Sequence, residues 1–322
     1  MWPDLLRRLG PFRSQAGARW RSLLAGAAKV LLTATALAYA AYRAFQEGRK
    51  LELAEIDWLP ALGAGACYVS GLLFCAAFWY LSLRSLGSTP HPLSLLTAYF
   101  TGHLAKYLPG KVWVVVARTS WPRGRNLTPL ALATTATQET LLMMGVGGVG
   151  GCVLWYFTAP TFGSPVDWGI LLFTGGGGLV LLVAAMPIAV GWALRLGRST
   201  PESPPRLRWR VYLCGLALMS LCWGLLGLSL LFATAALPDL DNPGIVPSLA
   251  AVAVATAAGF LTFLPGGLGS RELTLAAVLA SYQLRYATLL AAMLRAIWVA
   301  AELACWIGCA LLELIATQRH RR

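Results

Sequence analysis

Apolar residues run almost unbroken over 27–45, 59–83, 128–157, 168–194, 211–237 and 285–315. Each run is close to or longer than the roughly 20 residues a helix needs to cross bilayer hydrocarbon. Two further apolar stretches are too short to cross. The first is 93–105 followed by 112–117, and the second is 246–262 followed by 270–281. Tyr107-Leu108-Pro109-Gly110-Lys111 interrupts the first, and Phe263-Leu264-Pro265-Gly266-Gly267 interrupts the second. A Pro-Gly pair ends a helix, because proline lacks an amide hydrogen and glycine frees the backbone. Hydrocarbon tolerates such a break only where protein or a water-filled cavity covers it.

The order is span, span, broken pair, span, and it occurs twice. It predicts an all-α polytopic membrane protein of six transmembrane helices and two re-entrant helical hairpins, 93–120 and 246–283. An odd number of crossings per half inverts the second half, giving an inverted-topology repeat. The expected divisions are a basic cytoplasmic segment 1–26, a first repeat 27–158, a second repeat 159–315 and a basic cytoplasmic tail 316–322. The small-residue run Ala36-Leu37-Ala38 resembles a cleavage site, but the repeat needs this span, so it is expected to stay as an anchor.

Composition agrees with the pattern: 57% of the 322 residues are hydrophobic and 12% are charged. The charged share is about half the roughly 25% of soluble domains. The net charge of +13 lies in clusters at the ends of spans. Arg7, Arg8, Arg13, Arg19 and Arg21 precede the first, Lys29 stands at its start, and Arg195, Arg198, Arg206, Arg208 and Arg210 lie between later ones. Such juxtamembrane clusters mark the cytoplasmic side and suit anionic headgroups, so nucleic acid is not the expected partner. The expected location is the cell membrane, crossed many times. The seven cysteines fall in apolar runs and read as small buried hydrophobes. Cys305 and Cys309 have helical spacing but no histidine nearby, so no metal is expected.

Charges inside the apolar runs carry the chemistry. The two Pro-Gly pairs lie 156 residues apart, and that shift places Glu139 on Arg295. An isolated charge in the middle of a membrane helix costs about 2.5–3.5 kcal/mol on insertion scales. A Glu139–Arg295 ion pair is therefore expected near the axis relating the halves, with Glu302 sharing Arg295. The first hairpin carries His103, Lys106, Lys111 and Arg118; the second carries Arg271 and Glu272. A half-helix that starts after a Pro-Gly turn is expected to point free amides into the cleft, where its dipole favours an anion. Lys106, Lys111, Arg118 and Arg271 are the expected headgroup ligands. Pro109, Gly110, Pro265, Gly266, Gly267 and Gly269 are the expected breaks that allow close approach. Glu139, Arg295, Glu302 and Glu272 form the expected intramembrane charge network. Trp113, Tyr107 and Phe263 flank the breaks as interfacial or chain-lining aromatics. Glycine runs 145–151 and 175–178 allow helices to approach closely. No cofactor is implied and no complete catalytic motif is present. Asp239-Leu240-Asp241 has the form of a glycosyltransferase metal motif, but three-residue patterns are common by chance.

Lys106-Tyr107-Leu108-Pro109-Gly110-Lys111-Val112-Trp113 with Arg118, and Pro265-Gly266-Gly267-Leu268-Gly269 with Glu272, resemble the membrane domain of lysylphosphatidylglycerol synthases. The resemblance extends over nearly the whole chain in span order. It implies a flippase-like fold that moves lipids between leaflets, or a partner of polyprenyl-phosphate glycan assembly. The lysyl-transferring members carry an additional soluble aminoacyltransferase domain, and the resemblance is to stand-alone members without it. The expected function is binding and translocation, or presentation, of an anionic phospholipid or polyprenyl-phosphate headgroup between the hairpins. The alternative is a membrane-embedded transferase, or an accessory subunit to a separate transferase. The oligomeric state is left open.

Overall fold

A computed structural model describes residues 56–108, 112–120, 122–158, 209–238, 240–262 and 264–319, with scattered positions between 35 and 48. Most of the run 27–45, all of 168–194, the glycines 175–178, Asp239 and Phe263 lie outside the described residues. So do Pro109, Gly110 and Lys111 of the first break.

The helices are α1 (Trp58–Ser85), α2 (Pro92–Ala105), α3 (Val112–Ser120), α4 (Pro129–Thr158), α5 (Trp209–Ala235), α6 (Ile245–Leu261), α7 (Ser270–Ser281) and α8 (Ala287–Arg319). Four of them, α1, α4, α5 and α8, are long and apolar enough to cross a membrane. They match four of the expected spans. The remaining apolar helices are shorter and fall where the broken stretches were expected.

Local chemistry sets the ends. Asp57 caps α1, its carboxylate accepting the Leu59 amide at 3.0 Å. At the other end Gly87 takes a left-handed conformation (φ 82°), while Ser88 and Gly87 donate back to the Leu83 and Arg84 carbonyls. That pair of bonds closes a helix terminus that would otherwise leave carbonyls bare. The second break is made of glycine: Gly266, Gly267 and Gly269 have φ of 58°, 67° and 80°. Side-chain-bearing residues reach this region only at a cost of roughly 1–2 kcal/mol.

An apolar core encloses a few buried charges, and apolar side chains also cover much of the outside. Arg118, Gln138, Glu139, Glu272 and Glu302 are buried, whereas Leu303, Ile307, Leu311 and Leu314 of α8 face outward. Charges turned inward while apolar side chains face outward are what a hydrocarbon solvent selects.

Helix α1 runs antiparallel to α5, since Gly63 meets Phe232, Gly71 meets Leu226 and Gly215 meets Phe78. Trp223 presses its indole onto Gly147 of α4 and donates Nε1 to the Met143 carbonyl at 2.8 Å. A methyl at 147 would sit 2.0 Å from that ring, so this glycine sets the α4–α5 spacing. Among the expected glycine contacts, Gly151 packs in the same way on Ala253 of α6.

The helices pack in exchangeable pairs. Helix α2 lies on α8 and α6 on α4; α3 lies on α4 and α7 on α8; α2 packs on α3 and α6 on α7. A shift of one half turns each contact into its mate. The α2–α3 hairpin also returns to its starting point. Thr89–Pro90 (β1) pairs antiparallel with Gly124–Arg125 (β2), and the His91 amide donates to the Arg123 carbonyl at 2.8 Å. Both hairpins and the two long helices α4 and α8 enclose the region where the charges meet.

Candidate functional site: a charged cavity between two helical hairpins

A cavity of about 350 Å³ lies between the hairpins. Its walls come from α2 and α3 (His103, Lys106, Arg118), α4 (Glu139, Met143), α6 (Thr256, Gly259), the second break (Gly266, Gly267), α7 (Arg271) and α8 (Trp298). Most of the lining is apolar, and its polar groups are concentrated in a few side chains.

Arg118 of α3 reaches Glu139 of α4, Nη1 to Oε2 at 2.5 Å, with both side chains buried. Gly102 of α2 makes this reach possible. A Cβ there would lie 2.7 Å from the Arg118 Cγ. The guanidinium stacks on Tyr99 (4.4 Å) and on Trp79 (5.3 Å), and the Tyr99 hydroxyl donates to Glu139 Oε1 at 3.3 Å. Ring faces suit a desolvated guanidinium.

Glu302 of α8 is held by the first hairpin and by α1. Its Oε1 accepts from Lys106 Nζ at 2.5 Å and from the Tyr68 hydroxyl; its Oε2 accepts from the Tyr107 hydroxyl at 3.1 Å. His103 stands beside this group, with Nδ1 at 3.5 Å from Lys106 Nζ. Tyr68 lies flat on Trp298, with ring centroids 4.2 Å apart, and Trp298 is fixed by its Nε1 donating to Ser229.

Arg295 of α8 binds the second hairpin instead. Its Nε lies 3.4 Å from Glu272 Oε1, and its Nη2 donates to the Gly266 carbonyl at 3.0 Å. Its guanidinium also lies over the Tyr107 ring at 5.0 Å. Tyr107 in turn touches Gly266, where a Cβ would fall 2.8 Å from the ring. The tips of the two hairpins therefore meet at Tyr107 and Gly266, and α8 holds one tip through Glu302 and the other through Arg295.

These contacts revise the expected network in three places. Glu139 pairs with Arg118, not with Arg295. Glu302 takes Lys106 and two tyrosines, not a share of Arg295. The α7 N-terminus does not offer open amides to the cleft at its cap, because Glu272 folds back and its Oε2 accepts the Gly269 amide at 2.7 Å. In the first two cases the carboxylate pairs with a side chain on a packed neighbour, while the 156-residue shift relates only backbone positions; in the third it caps its own helix.

The result is two ion pairs of opposite polarity in equivalent places. The first hairpin contributes Arg118 to a glutamate of α4; the second contributes Glu272 to an arginine of α8. Arg271 differs from the other cations. It stacks on Trp298 at 4.3 Å, and no carboxylate among the described residues lies within ion-pair distance of it. Of the four expected headgroup ligands, Lys106 and Arg118 are committed to carboxylates, Arg271 is not, and Lys111 lies outside the described residues.

Sequence reasoning missed Tyr68, Tyr99 and Gly102. Tyr68 and Tyr99 are isolated phenols in apolar runs, and a buried hydroxyl demands a partner, which was a usable signal. Gly102 had none, because its role depends on which helix lies opposite. Of the seven cysteines expected to be buried, Cys75 and Cys222 are, and Cys75 packs among Met143, Met219 and Cys222 at 3.4–3.9 Å; Cys67, Cys152, Cys305 and Cys309 are half-buried and Cys214 is exposed. No family model matches the sequence, and no curated protein matches it either.

Proposed function

We propose that this chain is a flippase-like, multi-pass protein of the cell membrane. It takes an anionic lipid headgroup, of the phospholipid or polyprenyl-phosphate type, into the cavity between its hairpins while the acyl chains stay in the bilayer. The proposal includes the finer architecture: six crossings, two re-entrant hairpins and halves of opposite orientation, as in stand-alone relatives of the lysylphosphatidylglycerol synthase membrane domain.

One observation carries the reading. A mostly apolar cavity, bounded by both hairpins, is lined by a half-buried guanidinium, that of Arg271, which no carboxylate among the described residues meets within ion-pair distance. A desolvated cation is costly unless an anion meets it, and a headgroup phosphate supplies that anion. The closed ladder at residues 89–90 and 124–125 supports a hairpin that enters and leaves on one side. The exchangeable packing of the two halves supports a pseudo-two-fold repeat.

The test is headgroup movement in proteoliposomes containing a fluorescent anionic lipid. Arg271→Ala is expected to abolish protein-dependent movement. Wild-type rates in Arg271→Ala protein that reconstitutes normally would reject the proposal.

A further inference from the structure

The charges around the cavity can be balanced group by group. Lys106 is matched by Glu302, Arg118 by Glu139 and Arg295 by Glu272. His103 Nδ1 lies 3.5 Å from Lys106 Nζ and 3.8 Å from Glu302 Oε1; taken as the neutral ring accepting from Lys106, it adds no charge to the count. Among the described residues this leaves four cations, three carboxylates and one unmatched guanidinium, that of Arg271.

A second group points to the same place. Thr256 of α6 lines the cavity, and its buried Oγ1 has no hydrogen-bond partner. Helical threonines elsewhere in this chain return the hydroxyl to the carbonyl one turn back, as Thr97, Thr101, Thr134 and Thr140 do. Thr256 does not, so its hydroxyl remains available to a ligand. Gly259, one turn further along α6, allows that helix to press against the base of Arg271, where a Cβ would lie 2.9 Å from the Arg271 Cβ. Thr256 and Arg271 line the same cavity, with the Arg271 guanidinium stacked on the Trp298 ring.

We infer that Arg271 and Thr256 form a subsite for a single negative charge, which selects a phosphodiester over a phosphomonoester or a diphosphate. The inference rests on the headgroup-binding reading above. A phosphodiester brings the one charge that neutralises Arg271, and a non-bridging oxygen can accept from the Thr256 hydroxyl. A phosphomonoester carries about two charges near pH 7. Its second charge would be desolvated in the cavity, where every remaining cation among the described residues is already paired.

The test uses the full-length purified protein in a neutral detergent at pH 7.5. Calorimetry would measure binding of dioctanoyl phosphatidylglycerol, dioctanoyl phosphatidate, farnesyl diphosphate, dioctanoyl phosphatidylcholine and inorganic phosphate. The phosphodiester is expected to bind at least about tenfold tighter than the monoester or the diphosphate. Arg271→Gln is expected to remove that preference, and Thr256→Val to weaken the phosphodiester by about threefold to tenfold. Monoester or diphosphate binding equal to or tighter than the diester in wild-type protein overturns the inference and leaves the headgroup reading standing. No binding of any anionic lipid, or inorganic phosphate bound as tightly as the lipids, overturns both, and phosphatidylcholine, itself a phosphodiester, is expected to bind more tightly than the monoester and the diphosphate. The wild-type series needs no substitution, so misfolding of a variant cannot decide the matter.

Discussion

Glu302 gathers Lys106, Tyr107 and Tyr68 around one fully buried carboxylate. Removing it leaves the Lys106 ammonium without a counter-charge. Breaking a buried pair from one side typically costs about 3–5 kcal/mol. Glu302→Ala should therefore lower stability by that order, read as a drop in the thermal unfolding midpoint in detergent. The double variant Lys106→Met with Glu302→Leu should recover most of the loss, because no orphan charge remains. If the double variant is as unstable as Glu302→Ala, the lost term is packing and not charge. The presence of Glu302, Lys106, Arg118 and Glu139 was legible in the sequence, since each is a costly intrusion in an apolar run. Their partners were not. Partner choice depends on side-chain reach across a packed interface, and Gly102 decides one such reach without any charge of its own.

Helix spacing is set by a few glycines, and Gly147 against the Trp223 indole is the tightest such contact. Gly147→Ala forces α4 and α5 apart or rotates the ring away from the Met143 carbonyl. Overpacking of this kind costs about 1–3 kcal/mol. The expected outcome is a lower unfolding midpoint and a shifted tryptophan emission, and an unchanged midpoint would show that the interface yields freely. Long helices α1, α4, α5 and α8 could be read directly from hydrophobic length. The second break could be read because Pro265 and the following glycines have few other uses. The ladder closing the first hairpin could not, because two residues per strand leave no periodicity to detect.

For the molecule as a whole, the proposed inversion makes a claim about sidedness. Arg125 sits at the mouth of the first hairpin and Asp241 just before the second, and both are exposed. Single cysteines at these positions, Arg125→Cys and Asp241→Cys in a cysteine-free background, should react with a membrane-impermeant maleimide from opposite faces of sealed vesicles. Labelling of both from one face would end the inverted-repeat reading, whatever the cavity binds. The proposed repeat shows in the sequence only as two matched breaks and a matching order of runs. The packed structure adds that α4 and α8 each touch both hairpins, which no linear pattern records.

The reversed polarity of the two hairpin ion pairs also bears on how so repetitive a chain assembles correctly. Under the proposed repeat, either hairpin would have the shape to settle against the wrong long helix during membrane insertion. Such a misassembled form would bring Arg118 towards Arg295 and Glu272 towards Glu139, two like-charge encounters in a medium that screens poorly. Each half thus carries its own address, and mistaken pairing is rejected by repulsion before any close packing can reward it.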